Sequence, residues 1–160
     1  TYLPESGFDH VYYIFPMKFN SKLAGISRNL FVKSINSEFL EAKGWESTPL
    51  AEGYVKPLYL NEIYQQKIAI GNKGFPFNLN KGINYNYSKG ICPVVENLYE
   101  SQMIITPLIR DPLSKPDIDD LILAIKKVLK YSKEISSHFK DYNNDNIYTP
   151  VQVASEKNVR

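Results

Sequence analysis

The chain has 160 residues, 43% hydrophobic and 22% charged, with a mean hydropathy of -0.32, a composition that fits one globular domain and excludes a disordered or fibrous polymer. A balance of 19 Lys+Arg against 17 Asp+Glu leaves a net charge of only +2, too small for the broad positive field of a dedicated nucleic-acid binder. One cysteine, Cys92, excludes an intrachain disulfide and a cysteine-based zinc site and points to a reducing compartment.

Residues 10–19, H-V-Y-Y-I-F-P-M-K-F, alternate Val11, Tyr13, Phe15, Met17 and Phe19 onto one face and predict a strand. Pro16 cannot donate to a ladder, so this strand belongs at an edge or carries a bulge. Ser27 stands where a helix N-cap would, followed by Leu30, Phe31, Ile35, Phe39 and Ala42 at helical spacing and then Gly44; the pattern predicts a helix of about four turns. From Thr48 to Gly90, Pro49, Pro57 and Pro76 and five glycines break every periodic run. This middle reads as ordered loops with at most a short strand, the place to look for recognition. Its aromatic residues Tyr54, Tyr59, Tyr64, Phe75, Phe77, Tyr85 and Tyr87 either cover the core or contact a ligand.

Pro93 suits the first position of a short helix, P-V-V-E-N-L-Y-E-S, with Glu96 facing the positive end of its dipole. Residues 103–109 read as a buried strand. Ser114 and Asp117 then form a capping box ahead of a helix whose apolar stripe is Ile118, Leu121, Ile122, Ile125, Val128 and Leu129. Asp117, Asp119 and Asp120 near its start and Lys126, Lys127 and Lys130 near its end form a solvated face with favourable polarity. The order predicts an α/β fold of the α+β two-layer kind, a small antiparallel or mixed sheet packed with helices. Residues 1–139 form the domain and 140–160 a polar, mobile tail.

The chain does not assemble an active site by itself. His10 and His138 lie at opposite ends, and no H-E-x-x-H, C-x-x-C, phosphate-binding G-x-x-x-x-G-K or dinucleotide fingerprint occurs. G-N-K-G at 71–74 is a turn signal. None of the 16 lysines stands in an apolar setting that would depress its pKa for Schiff-base chemistry.

The motifs H-V-Y-Y-I-F, I-S-R-N-L-F, G-Y-V-K-P-L-Y-L, G-F-P-F, Y-S-K-G-I-C-P-V-V-E-N-L and L-S-K-P-D-I-D-D-L-I-L-A-I-K-K-V-L follow one another over about residues 10–130. In that order they resemble the C-terminal small domain of the DegT/DnrJ/StrS sugar aminotransferases. The resemblance implies a fold-type I enzyme that works as a homodimer with pyridoxal phosphate and moves an amino group from glutamate or glutamine to a nucleotide-linked keto-sugar, in making amino sugars for surface polysaccharides. It also implies a missing partner, the N-terminal large domain that holds the cofactor lysine, because nothing here matches that domain. Without the lysine the fragment is expected to be inactive, with no cofactor bound. The chain opens a few residues before its first predicted strand, so an excised small domain is expected.

Three residues are candidates for substrate binding in the intact enzyme. His10 occupies an H-x-Y position resembling the family's cleft-facing histidine; a backbone-bonded histidine at a strand end is the alternative. Arg28, just after the helix N-cap, has a guanidinium suited to a carboxylate or phosphate, or to a structural acid. Tyr54 offers a ring and hydroxyl from the loop-rich middle, or packs in the core. Cys92 resembles the cysteine preceding P-x-x-E in the family and reads as a structural thiol. The alternative function is a stand-alone sugar- or nucleotide-binding module that stacks rings on the aromatic loops; a third is an interaction domain that self-associates through an exposed apolar face. No apolar run approaches the roughly 20 residues that span a bilayer and no leader pattern opens the chain, so a cytoplasmic protein with neither membrane nor nucleic-acid partner is expected.

Overall fold

The computed structural model describes Gly7 and residues 11–39, 48–109 and 113–140. Along the chain run β1 (Phe15–Lys18), α1 (Ser21–Ala24), α2 (Arg28–Asn36), β2 (Ala51–Glu52), α3 (Glu62–Gln66), α4 (Pro93–Asn97), β3 (Met103–Thr106), α5 (Lys115–Lys130) and α6 (Ser132–His138). This is a mixed α+β architecture. Its sheet is wholly antiparallel in the order β1-β3-β2, with Phe15 opposite Thr106, Lys18 opposite Met103, and Ala51 opposite Ile105.

β3 takes the centre because M-I-I-T is apolar on both faces. Ile104 and Ile105 point to opposite sides of the sheet and are 3% and 2% exposed. Strand β1 lies at the edge, where the missing N–H of Pro16 is tolerated. It is shorter than the sequence pattern predicts: Val11 and Tyr13 precede it and stand exposed, because β3 offers only four residues to pair with.

Local signals start and stop each helix. Asn20 Oδ1 accepts the N–H of Lys22 and Leu23 at 3.1 and 3.2 Å to open α1, an element the sequence reading did not anticipate, and Gly25 closes it at φ 69°. Ser27 caps α2 as expected, its Oγ accepting Leu30 N–H at 3.4 Å. The helix then ends after nine residues rather than four turns. Asn36 supplies the reason: its amide donates to Leu50 O at 2.9 Å and accepts Leu50 N–H at 3.1 Å, so the last turn is tied to the β2 approach. Ala42 and Gly44 lie outside the described residues.

Helix α5 opens as its sequence predicts, with Asp117 accepting the Ser114 N–H and hydroxyl at 2.7 and 2.6 Å. Its buried seam is Leu121, Ala124 and Val128, whereas Ile122 and Leu129 remain over 40% exposed. The predicted stripe is thus wider than the seam that α2 covers. Leu30, Phe31, Val32 and Ile35 of α2, together with Leu50 and Ile104, meet that seam in one core. Lys127 of α5 also pairs with Glu38 at 2.5 Å. Helix α6 packs Ile135 on the core and bonds Ser136 Oγ to Gly25 O at 3.0 Å. Residues 141–160, most of the predicted tail, lie outside the described residues.

Ile35 is fully buried, so Ile35→Ala is expected to lower stability by about 2–5 kcal/mol in urea titrations. Ile122→Ser, on the outer edge of α5, is expected to change it by less than about 1 kcal/mol.

Candidate functional site

Two of the buried polar side chains, Arg28 and Asn29, lie where α2, β2 and the α4–β3 joint meet. Helix α4 does not stop cleanly; Leu98–Gln102 continue as a π turn that runs straight into β3. A helix end leaves carbonyls without intrahelical donors. Arg28, first residue of α2 and 2% exposed, fills that need. Its Nη1 donates to Tyr99 O at 2.7 Å and Met103 O at 3.1 Å, Nη2 to Glu100 O at 2.8 Å, and Nε to the Asn29 side chain at 2.9 Å. The guanidinium is therefore committed largely to backbone carbonyls. Burial pulls its pKa down, while Glu52 and Tyr99 oppose that shift. Burial likewise raises the Glu52 carboxyl, against the attraction of Arg28 and Lys33.

Gly53 completes the joint. Its N–H donates to Met103 O at 2.8 Å, and at φ 64° a Cβ would sit 3.0 Å from Tyr99 O and 3.7 Å from Arg28 Nη1. Only glycine fits both the left-handed backbone and the close approach. Tyr54 follows at once, half-buried; burial first and the neighbouring Tyr13 second raise its pKa. Two of the three predicted site residues, Arg28 and Tyr54, are thus brought to one joint through Gly53. His10 lies outside the described residues.

A second cluster holds the following loop. Glu96 is buried, and its Oε1 accepts the Tyr59 hydroxyl, Gly90 N–H at 2.7 Å and, more weakly, Cys92 N–H at 3.4 Å. The Tyr59 bond, then the backbone donors, hold Glu96 below the usual carboxylate range, while burial and Glu96 push Tyr59 up to about 12. Sequence reading assigned Glu96 only a dipole role; the tyrosine of K-P-L-Y, 37 residues upstream, is the partner it missed. Cys92, half-buried, precedes α4 as a free thiol. Lys89 pairs with Glu100, which raises the lysine's pKa.

The aromatic loops close on themselves. Tyr64, Phe77, Tyr85 and Tyr87 meet at centroid distances of 5.2–6.2 Å, edge-on except for the parallel Tyr85–Tyr87 pair. Gln65 ties them to the rest, donating to Tyr59 O and Tyr87 O, both at 2.7 Å. A separate cleft of about 390 Å³ opens between β1, α1 and α5, lined by Met17, Phe19, Leu23, Phe31, Ile125 and Leu129 among others. Its walls supply no acid, base or nucleophile beyond Lys18 at the rim.

Among the described residues no group of three His, Cys, Asp or Glu side chains is placed to hold a metal, and no lysine is buried. Comparison with family models, curated proteins and solved structures finds no match to this chain.

Gly53→Ala is expected to destabilise the domain by at least about 2 kcal/mol, through left-handed strain and the contact with Tyr99 O together; thermal denaturation checks this. Because the Glu96 carboxyl is lowered in the folded state, the stability it adds is complete above the ordinary carboxylate pKa of about 4.3 and is lost as pH falls through the lower folded value. The difference in melting temperature between the wild type and Glu96→Gln is expected to be largest at neutral pH and to shrink below about pH 4.

Proposed function

We propose that this chain is the C-terminal small domain of a pyridoxal-phosphate-dependent sugar aminotransferase of the DegT/DnrJ/StrS kind. In the complete homodimeric enzyme it closes over a nucleotide-linked keto-sugar that receives an amino group from glutamate or glutamine, in the cytoplasmic synthesis of amino sugars for surface polysaccharides. The observation that carries this reading is the run of six motifs in one order. The architecture is compatible with it: an antiparallel sheet with α2 and α5 packed together is a supporting unit. When bound, the cofactor supplies the electron sink for transamination; it belongs to the large domain.

The residues of this chain then orient and enclose. We assign substrate contact to Tyr54, which neighbours Tyr13. Arg28 is a positioning residue, since its donors hold the carbonyls against which Gly53, and so Tyr54, is seated. His10, which precedes β1 in the sequence, is assigned to the substrate site on the resemblance alone. The stand-alone ring-binding alternative is weaker, because Tyr64, Phe77, Tyr85 and Tyr87 are engaged with one another.

The test is expression of the chain together with the reading frame upstream of Thr1, followed by absorbance spectroscopy. A visible cofactor band in the longer protein, absent from these 160 residues, is the expected result. An upstream frame that yields no such band removes the aminotransferase assignment.

A further inference from the structure

The turns between Lys67 and Ile83 combine two features on one small unit. Their sequence, K-I-A-I-G-N-K-G-F-P-F-N-L-N-K-G-I, holds Lys67, Lys73 and Lys81 and no acid, and none of these lysines has an ion-pair partner among the described residues. On the same unit Ile70, Leu79 and Ile83 are 68%, 65% and 55% exposed, and Phe75 is 42% exposed. Backbone bonds hold these positions together. Ala69 and Ile70 both donate to Phe75 O at 3.0 and 3.2 Å, Asn78 N–H donates to Gly74 O at 2.9 Å, and Leu79 N–H donates to Pro76 O at 3.1 Å. The Asn78 side chain adds a bond to Lys73 O at 2.8 Å. Gly71 and Gly74, at φ 66° and 79°, permit turns this tight.

Exposed apolar side chains on tight turns, interleaved with uncompensated lysines, suit a surface that presents hydrocarbon beneath negative headgroups. Protein interfaces are depleted in lysine relative to other surface, which weighs against a protein partner. A nucleotide would need open ring faces, yet the neighbouring rings pack on one another. We propose that the turns of residues 67–83 dock peripherally on an anionic lipid surface, the side chains of Ile70, Leu79 and Ile83 entering the headgroup boundary and the lysines lying at phosphate level. The sequence expectation of no membrane partner rests on the lack of a spanning run, and a surface contact needs none. No described helix is long and apolar enough to cross a membrane. This proposal is independent of the aminotransferase reading.

Co-sedimentation with phosphatidylcholine vesicles, with and without phosphatidylserine, tests it in low and high salt. Binding is expected only to the vesicles with phosphatidylserine and is expected to fall steeply with salt. Lys73→Glu/Lys81→Glu is expected to weaken it by at least about 25-fold, and Leu79→Ser by about tenfold, with unchanged circular dichroism. Equal binding to both vesicle types, indifference to these variants, or absence of vesicle binding would overturn the proposal. If light scattering then shows a dimer that Leu79→Ser dissociates, the face belongs to a second copy of the chain.

Discussion

A single guanidinium, buried among three backbone carbonyls, ties the start of α2 to the turn that carries α4 into β3. The π turn that carries α4 into β3 leaves the carbonyls of Tyr99, Glu100 and Met103 in need of donors, and Arg28 supplies them from the start of α2. A cation at that position also meets the negative end of the helix. Desolvation of the guanidinium opposes the arrangement, which persists because its hydrogen bonds are made and Glu52 lies nearby. The glycine at 53 follows from the same arrangement, since any side chain there would press on Tyr99 O. One polar joint thus fixes the entry of α2, the end of β2 and the start of the central strand.

The lobe from Val55 to Ile91 is built on a different principle. Only Pro57 in it is buried, and its order comes from directional contacts: Tyr59 with Glu96, Gln65 with two carbonyls, and four rings meeting mainly edge to face. Hydrogen bonds near solvent contribute little net stability, so this lobe is expected to open locally at lower free energy than the core around Val32 and Ile35. A rigid sheet carrying a loop lobe of this kind is how many binding surfaces are built.

What was legible in the sequence tracks how local its cause is. Helix α5 was readable from Ser114, Asp117 and the spacing of Leu121 and Val128, all within its own length. The extent of α2 was not, because Asn36 answers to Leu50, 14 residues on. Nor was the use of Arg28, whose carbonyl partners stand 71 to 75 residues away. The sequence pattern marked Arg28 as a polar residue at a helix start, suited to an anion; the fold directs it at neutral oxygens instead. Tyr54 was recognisable as an aromatic residue in a loop, but its proximity to Tyr13 depends on the exposed approach to β1.

Net charge hides in the same way. The total of +2 suggests a neutral surface, yet residues 55–91 carry five lysines against the single acid Glu62, so the remainder of the chain is acidic. Charges that cancel in the sum do not cancel in space when they are further apart than the Debye length of about 8 Å. What a partner meets is therefore the local field of the lobe, and the field of α5, with Asp119 and Asp120 at one end and Lys126 and Lys130 at the other, is largely balanced along its own axis. Within the lobe Lys89 is matched by Glu100, whereas Lys67, Lys73 and Lys81 share their turns with Ile70, Leu79 and Ile83, each more than half exposed. Charge and apolar surface coincide there on side chains that lie outside the buried core, and exposed apolar surface gathered in one place marks a site of interaction.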